Sequence, residues 1–135
     1  MRNTHGRQVV VVIGATSKWQ SDGRNTRLAH GRALDDSHLS VGARWGVGGA
    51  IAQKFAQEGC FVVLTTRSEA NAAALASAIR EQRGECTIVE LDLTSQQSIA
   101  AAFASIRQDA GEPEAVIYNA GYLEGRDLPP GKGTA

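Results

Sequence analysis

Four short apolar runs recur along the chain: Val9-Val10-Val11-Val12-Ile13, Phe61-Val62-Val63-Leu64-Thr65, Thr87-Ile88-Val89-Glu90-Leu91 and Ala115-Val116-Ile117-Tyr118. Continuous β-branched runs of this length, without apolar-polar alternation, predict strands buried on both faces, as in parallel sheets. Between them, Ala-rich segments of helical period run from about 47 to 58, 69 to 83 and 95 to 110. Each is followed by a glycine, Gly59, Gly84 or Gly111, where a helix end favours a left-handed residue. Thr94 and Gln97 have the spacing of a capping box, and Ser68 is placed to cap the helix before. The order β-α-β-α-β-α-β predicts an α/β fold, a doubly wound parallel sheet with right-handed crossovers and helices on both faces. The expected strand order 3-2-1-4 leaves the fourth strand at an open apolar edge, a template for aggregation.

Spacing exposes an anomaly. The first crossover, from 9 to 61, is about twice as long as those from 61 to 86 and from 86 to 114. The excess lies between Gly14 and Gly46, where residues 20–44 are polar and lack a sustained period. A structureless loop of that length is uncommon inside a compact domain. One reading is a solvated surface loop. Another is a phosphate or partner site built from Arg24, Arg27, Arg32 and Arg44, against which Asp22, Asp35 and Asp36 argue. The flanks suggest a third, because Lys18-Trp19 before the segment recurs in kind as Arg44-Trp45 after it. Deleting one copy brings the first crossover into line with its neighbours, which is what an in-frame insertion, such as a retained intron or an alternative gene model, would produce.

Composition narrows the functional classes. The 135 residues carry 14 Lys+Arg against 14 Asp+Glu, with 42% hydrophobic residues, the make-up of one ordinary soluble domain. Zero formal charge argues against nucleic acid and against anionic membrane surfaces, since both partners are held largely by basic side chains. No apolar run approaches the roughly 20 residues that span a bilayer, and no secretory signal is evident, so a cytoplasmic location is expected. Cys60 and Cys86 read as small buried hydrophobes beginning consecutive strands. His5, His30 and His38 show no ligand spacing, and no metal site is expected.

The chemistry-bearing feature is a glycine cluster between a buried strand and a helix start. Glycines there let the backbone approach a pyrophosphate, and the helix N-terminus supplies free N–H groups and a positive dipole end. Four features together resemble the short-chain dehydrogenase/reductase family over about residues 8–121 apart from the insertion. They are Gly14-Ala15-Thr16-Ser17 with Gly46-Val47-Gly48, Arg67 after the second strand, Leu91-Asp92-Leu93-Thr94, and Asn119-Ala120-Gly121 closing the fourth strand. Even after excision, five residues separate Gly14 from Gly46, a spacing similar to the enoyl-reductase-like branch, whereas Asn119-Ala120-Gly121 is similar to the standard branch.

The resemblance implies a Rossmann-like sheet, truncated after its fourth strand, and a dinucleotide site made by Gly14, Thr16, Ser17, Gly46, Val47, Gly48, Arg67, Asp92, Leu93, Asn119, Ala120 and Gly121. Asp92 would meet the adenine, and Asn119 would steady the sheet and line the nicotinamide side. On local grounds Asp92 also suits a helix cap, Asn119 a turn, and Arg67 a solvated strand end. The strand-end stretch Thr65-Thr66-Arg67-Ser68 has no carboxylate to bind a ribose hydroxyl, and a guanidinium suits a 2′-phosphate, so NADP is favoured over NAD.

Members of the resembled family act on small carbonyl or alcohol substrates through a Ser and a Tyr-x-x-x-Lys pair. Neither Tyr118 nor Tyr122 is followed by that Lys, and the loop-like stretch 122–135 contains no Ser. Two readings follow. The chain is the cofactor-binding half of a truncated NAD(P)-dependent oxidoreductase, inactive by itself, or it is a non-catalytic nucleotide-binding or interaction module. Splitting the glycine motif is further expected to misplace phosphate donors and weaken NADPH binding, with deletion of residues 20–45 restoring it in part. Neither substrate nor oligomeric state is legible.

Overall fold

The computed structural model describes residues 2–16 and 45–120. Ser17, the proposed insertion at 20–44, Gly121 and the segment 122–135 lie outside the described residues. Among those described, the elements are β1 (Val9–Ile13), α1 (Gly46–Gln57), β2 (Phe61–Thr66), a 3-10 turn (Glu69–Asn71), α2 (Ala73–Glu81), β3 (Glu85–Glu90), α3 (Gln96–Asp109) and β4 (Pro113–Tyr118). All pairings are parallel and the strand order is β3-β2-β1-β4, as expected.

Alternation within the apolar runs explains why they read as continuous. Val10, Val12, Val62, Leu64 and Cys86 face a core shared with α1 and α2, including Ala52, Leu75 and Ile79. Val9, Val11, Ile13, Phe61 and Val63 face the opposite side, against Ala102 and Ile106 of α3 and Ala110 at its end. With both faces covered, neither needs polar residues. β4 at the edge is different: Glu114, Val116 and Tyr118 alternate with half-buried residues, and Tyr118 is 68% exposed. Pro113 opens that strand, a position an edge tolerates because no neighbour needs its missing N–H.

The first residues fold back under the sheet. Asn3 donates from Nδ2 to the carbonyls of Arg7 (2.8 Å) and Ala110 (3.0 Å), and Arg7 N–H donates to Asn3 Oδ1. Arg7 also pairs with the buried Glu85 carboxylate at the start of β3, which His5 meets at 3.1 Å.

Several local expectations are corrected. The helix expected over 69–83 breaks into the 3-10 turn and α2, and Ser68 makes no side-chain cap. Ser95, not Thr94, caps α3, its hydroxyl accepting the Ser98 N–H at 3.1 Å, because the helix starts one residue later, at Gln96, and Thr94 turns to Asp92. Gly59 and Gly111 adopt positive φ as expected, but after α2 the left-handed residue is Arg83 (φ 66), not Gly84. Gly84 serves close approach instead, since a Cβ there would stand 2.7 Å from Ile79 Cγ2. A Cβ in the left-handed region is strained, so Arg83→Gly is expected to stabilise the fold by about 0.5 to 1 kcal/mol. Urea unfolding checks this, and an unchanged or lower unfolding free energy would count against it.

Candidate functional site

Parallel pairing brings the C-terminal ends of all four described strands to one edge of the sheet. The chain leaves β1 toward β2 on one side and returns to β4 on the other, so the edge has a crevice between β1 and β4, where ligands bind in open α/β sheets. Gly14 lies at that point with φ 81, and a Cβ on it would stand 2.7 Å from Ala120 Cα. Asn119 spans the crevice: its N–H donates to the Ile13 carbonyl at 2.8 Å and its Nδ2 to the Gly14 carbonyl at 3.2 Å.

The start of α1 packs directly on this turn. A Cβ on Gly48 would collide with the Gly14 carbonyl oxygen and stand 2.7 Å from that of Ala15 and 2.8 Å from Asn119 Nδ2. Gly14, Gly48, Asn119 and Ala120 therefore meet, although residues 17–44 separate the two glycines in sequence. The split motif was expected to misplace phosphate donors; Gly14 and Gly48 nevertheless meet, while Ser17 lies outside the described residues. Trp45 precedes the helix, is buried, and makes no side-chain cap; the first turn holds no acidic residue. Helix geometry leaves the amides of Gly46, Val47 and Gly48 without intrahelical acceptors, and Val47 is 67% exposed beside them. With no side-chain cap from Trp45 and no acidic residue in its first turn, this N-terminus suits an anion.

Thr16 anchors the turn on its other side. Its hydroxyl donates to the Asn71 carbonyl at 2.7 Å, and its own carbonyl accepts the Thr66 hydroxyl at 3.3 Å. Beyond β2, Arg67 is exposed, without a hydrogen bond or ion pair among the described residues that would hold it. Asp92 follows β3, with Leu93 partly exposed next to it. Rather than capping α3, the Asp92 carboxylate closes a local turn, accepting the Thr94 hydroxyl at 2.6 Å and the Thr94 N–H at 3.0 Å. The hydroxyl, then the amide, and more weakly the Arg67 charge hold the Asp92 carboxyl below the usual carboxylate range.

Because that native pKa is lowered, Asp92 contributes stability that is complete above its ordinary titration range and is lost as pH falls through the lowered value. Asp92→Asn is expected to flatten this acid limb. Urea unfolding of both proteins at neutral and acid pH tests it, and parallel pH dependences would refute it. Burial pushes the Cys86 thiol up, with Arg80 partly opposing, which fits a core residue rather than a reactive one. Among the described residues no cluster could hold a metal, and no helix is long and apolar enough to cross a membrane.

The residues that sequence reasoning passed over are Thr65, Thr66 and Asn71, which tie the glycine turn to the end of β2. For Thr65 and Thr66 the signal was two hydroxyls ending an otherwise apolar strand; Asn71, in the turn that follows, had none.

Known proteins resemble this arrangement. The chain is 33% identical over 93 residues to a 3beta-hydroxysteroid dehydrogenase of Mediterraneibacter gnavus, covering 69% of this chain and 34% of that protein. It is 35% identical over 83 residues to the 3-oxoacyl-(acyl-carrier-protein) reductase FabG of Pseudomonas aeruginosa, covering 62% of this chain and 34% of that one. A metagenomic short-chain oxidoreductase solved in complex with NADP superposes with a TM-score of 0.61 at 28% identity, covering 86% of this chain and 40% of that chain. An actinorhodin polyketide ketoreductase with NADPH gives 0.64 at 23% identity, a likeness of fold. The chain thus spans about a third of the length of the curated relatives it matches. The model of the short chain dehydrogenase family matches residues 38–130. That stretch omits β1, yet the structure seats β1 at the centre of the same sheet, completing a Rossmann-like fold. On this match and this architecture, the chain belongs to the short-chain dehydrogenase/reductase family.

Proposed function

We propose that this chain binds NADP(H) and constitutes the cofactor-binding portion of an NADP-dependent oxidoreductase acting on a small carbonyl or alcohol, without turning that substrate over by itself. The observation that carries the reading is the contact of Gly48 with the Gly14 turn. It sets an uncapped helix N-terminus, free of acidic residues, over the crevice at the carboxyl edge of the sheet. The amides of Gly46, Val47 and Gly48, with Ser17, hold the pyrophosphate in this reading, and Gly14 and Thr16 shape the turn beneath it. Arg67 takes the 2′-phosphate, and Asp92 and Leu93 border the adenine. Asn119, Ala120 and Gly121 form the floor on the nicotinamide side.

What supports the fit is that glycines stand where a Cβ would fill the cradle, and that Arg67, exposed and without a partner among the described residues, follows β2 in a stretch with no carboxylate to favour NAD. The complex of the metagenomic relative with NADP supports the same choice. Bound NADPH supplies a hydride, and this chain's residues hold and orient it. The Ser and the Tyr-x-x-x-Lys pair that complete the chemistry in the family are not found after β4 in this sequence. Residues 20–44 are read as an insertion within one partial domain, and a cytoplasmic setting without nucleic-acid or membrane partners accompanies the reading. Calorimetric titration with NADPH and NADH tests binding, with NADPH expected to be the tighter. An assay with NADPH and a panel of carbonyl compounds tests catalysis, and turnover by the purified chain would overturn the inactivity.

A further inference from the structure

We infer that Thr65 is a positioning residue for the phosphate-binding turn, a role that rests on the dinucleotide reading above. Thr65 is 1% exposed and lies at the end of β2, paired across the ladder with Ile13. Its hydroxyl donates to the Val12 carbonyl at 2.9 Å and accepts the Gly14 N–H at 3.3 Å. Its own carbonyl accepts the Ala15 N–H at 3.0 Å. One residue therefore satisfies both amides at the point where β1 turns out of the sheet, and closes a bridge that the strand ladder alone cannot make, because Gly14 has left extended geometry (φ 81).

Two consequences follow. The Gly14 and Ala15 amides point into β2 and are spent there, so neither of these two faces an anion, and the start of α1 carries that task among the described residues. The carbonyls of Gly14 and Ala15, against which Gly48 packs, are held at fixed height by Thr65. Removing the hydroxyl takes the side-chain acceptor from the part-buried Gly14 N–H and one donor from the Val12 carbonyl, and lets the surface under α1 shift.

The test uses Thr65→Val, which keeps the branched shape and removes the hydroxyl, and Thr65→Ser, which keeps the hydroxyl. Ile106→Val, on the far side of the sheet under α3, is a control for a simple loss of core packing. Thr65→Val is expected to weaken NADPH binding by about tenfold, the order of one lost buried hydrogen-bond bridge, and to speed hydrogen exchange at the Gly14 amide. Thr65→Ser is expected to restore both, and Ile106→Val to change neither. NADPH affinity in Thr65→Val equal to the parent, or unaltered Gly14 exchange, would overturn the inference, as would an Ile106→Val loss as large as that of Thr65→Val. A parent chain that binds no NADPH would refute the dinucleotide reading alone, while Gly14 exchange in Thr65→Val, measured without nucleotide, would still decide whether Thr65 positions the turn.

Discussion

Replacing Gly48 with alanine is expected to destabilise the chain by roughly 2 to 4 kcal/mol and to abolish measurable NADPH binding. The added methyl collides with the carbonyl oxygens of Gly14 and Ala15 and with the Asn119 amide, so two of its three obstacles are backbone groups that cannot swing aside. Relief requires α1 to lift from the turn, which opens the crevice and withdraws the amides of Val47 and Gly48 together. Ala52 and Ala56, buried farther along the same helix, would lose contact with the strands as the helix moves. Urea unfolding and calorimetry read the two effects separately. A variant that unfolds like the parent and binds NADPH equally well would show that α1 does not pack on Gly14 as described.

Arg67→Ala is expected to weaken NADPH binding about 10- to 100-fold and to leave NADH binding nearly unchanged. A paired, charge-assisted contact with a phosphate contributes on the order of 1.5 to 3 kcal/mol, and NADH offers no such phosphate. Arg67→Lys keeps the charge without the planar fork and is expected to fall between the two. Arg67→Ala, unlike Arg67→Lys, also removes a positive neighbour of Asp92, so the Asp92 carboxyl is expected to rise slightly while the Thr94 hydrogen bonds still hold it low, which NMR titration checks without any nucleotide. Equal losses for NADPH and NADH would mean that Arg67 supports the fold or the shared parts of the cofactor, not the 2′-phosphate.

How far the sequence could be read depended on which force set each feature. β1 and β2 were legible almost to the residue because burial on two faces demands an unbroken aliphatic run. β3 begins earlier than its apolar run, at Glu85, since that buried carboxylate is met by the half-buried Arg7 and the exposed His5, a long-range pairing without local signature. The second helix looked continuous because its composition is uniformly helical. It breaks at Ala72 because the turn before it is held from outside: Thr16 takes the Asn71 carbonyl, and Glu90 accepts the Glu69 N–H. In the site, glycines were readable because only a missing Cβ permits those approaches. Thr65 was not, because a threonine at the end of a strand is what β propensity alone would place there.

The central position of β1 bears on how the chain is made. β2 and β3 are neighbours in sequence and in space, so they pair as soon as both have left the ribosome. β1, synthesised first, finds one partner only when β2 emerges and the other only when residues 113–118 do. Until then Val9–Ile13 offers an unpaired, wholly apolar edge to whatever surrounds the nascent chain. The strand that seats the glycine turn is thus the longest exposed during synthesis, and the turn acquires its final shape only after Asn119 has closed over Gly14.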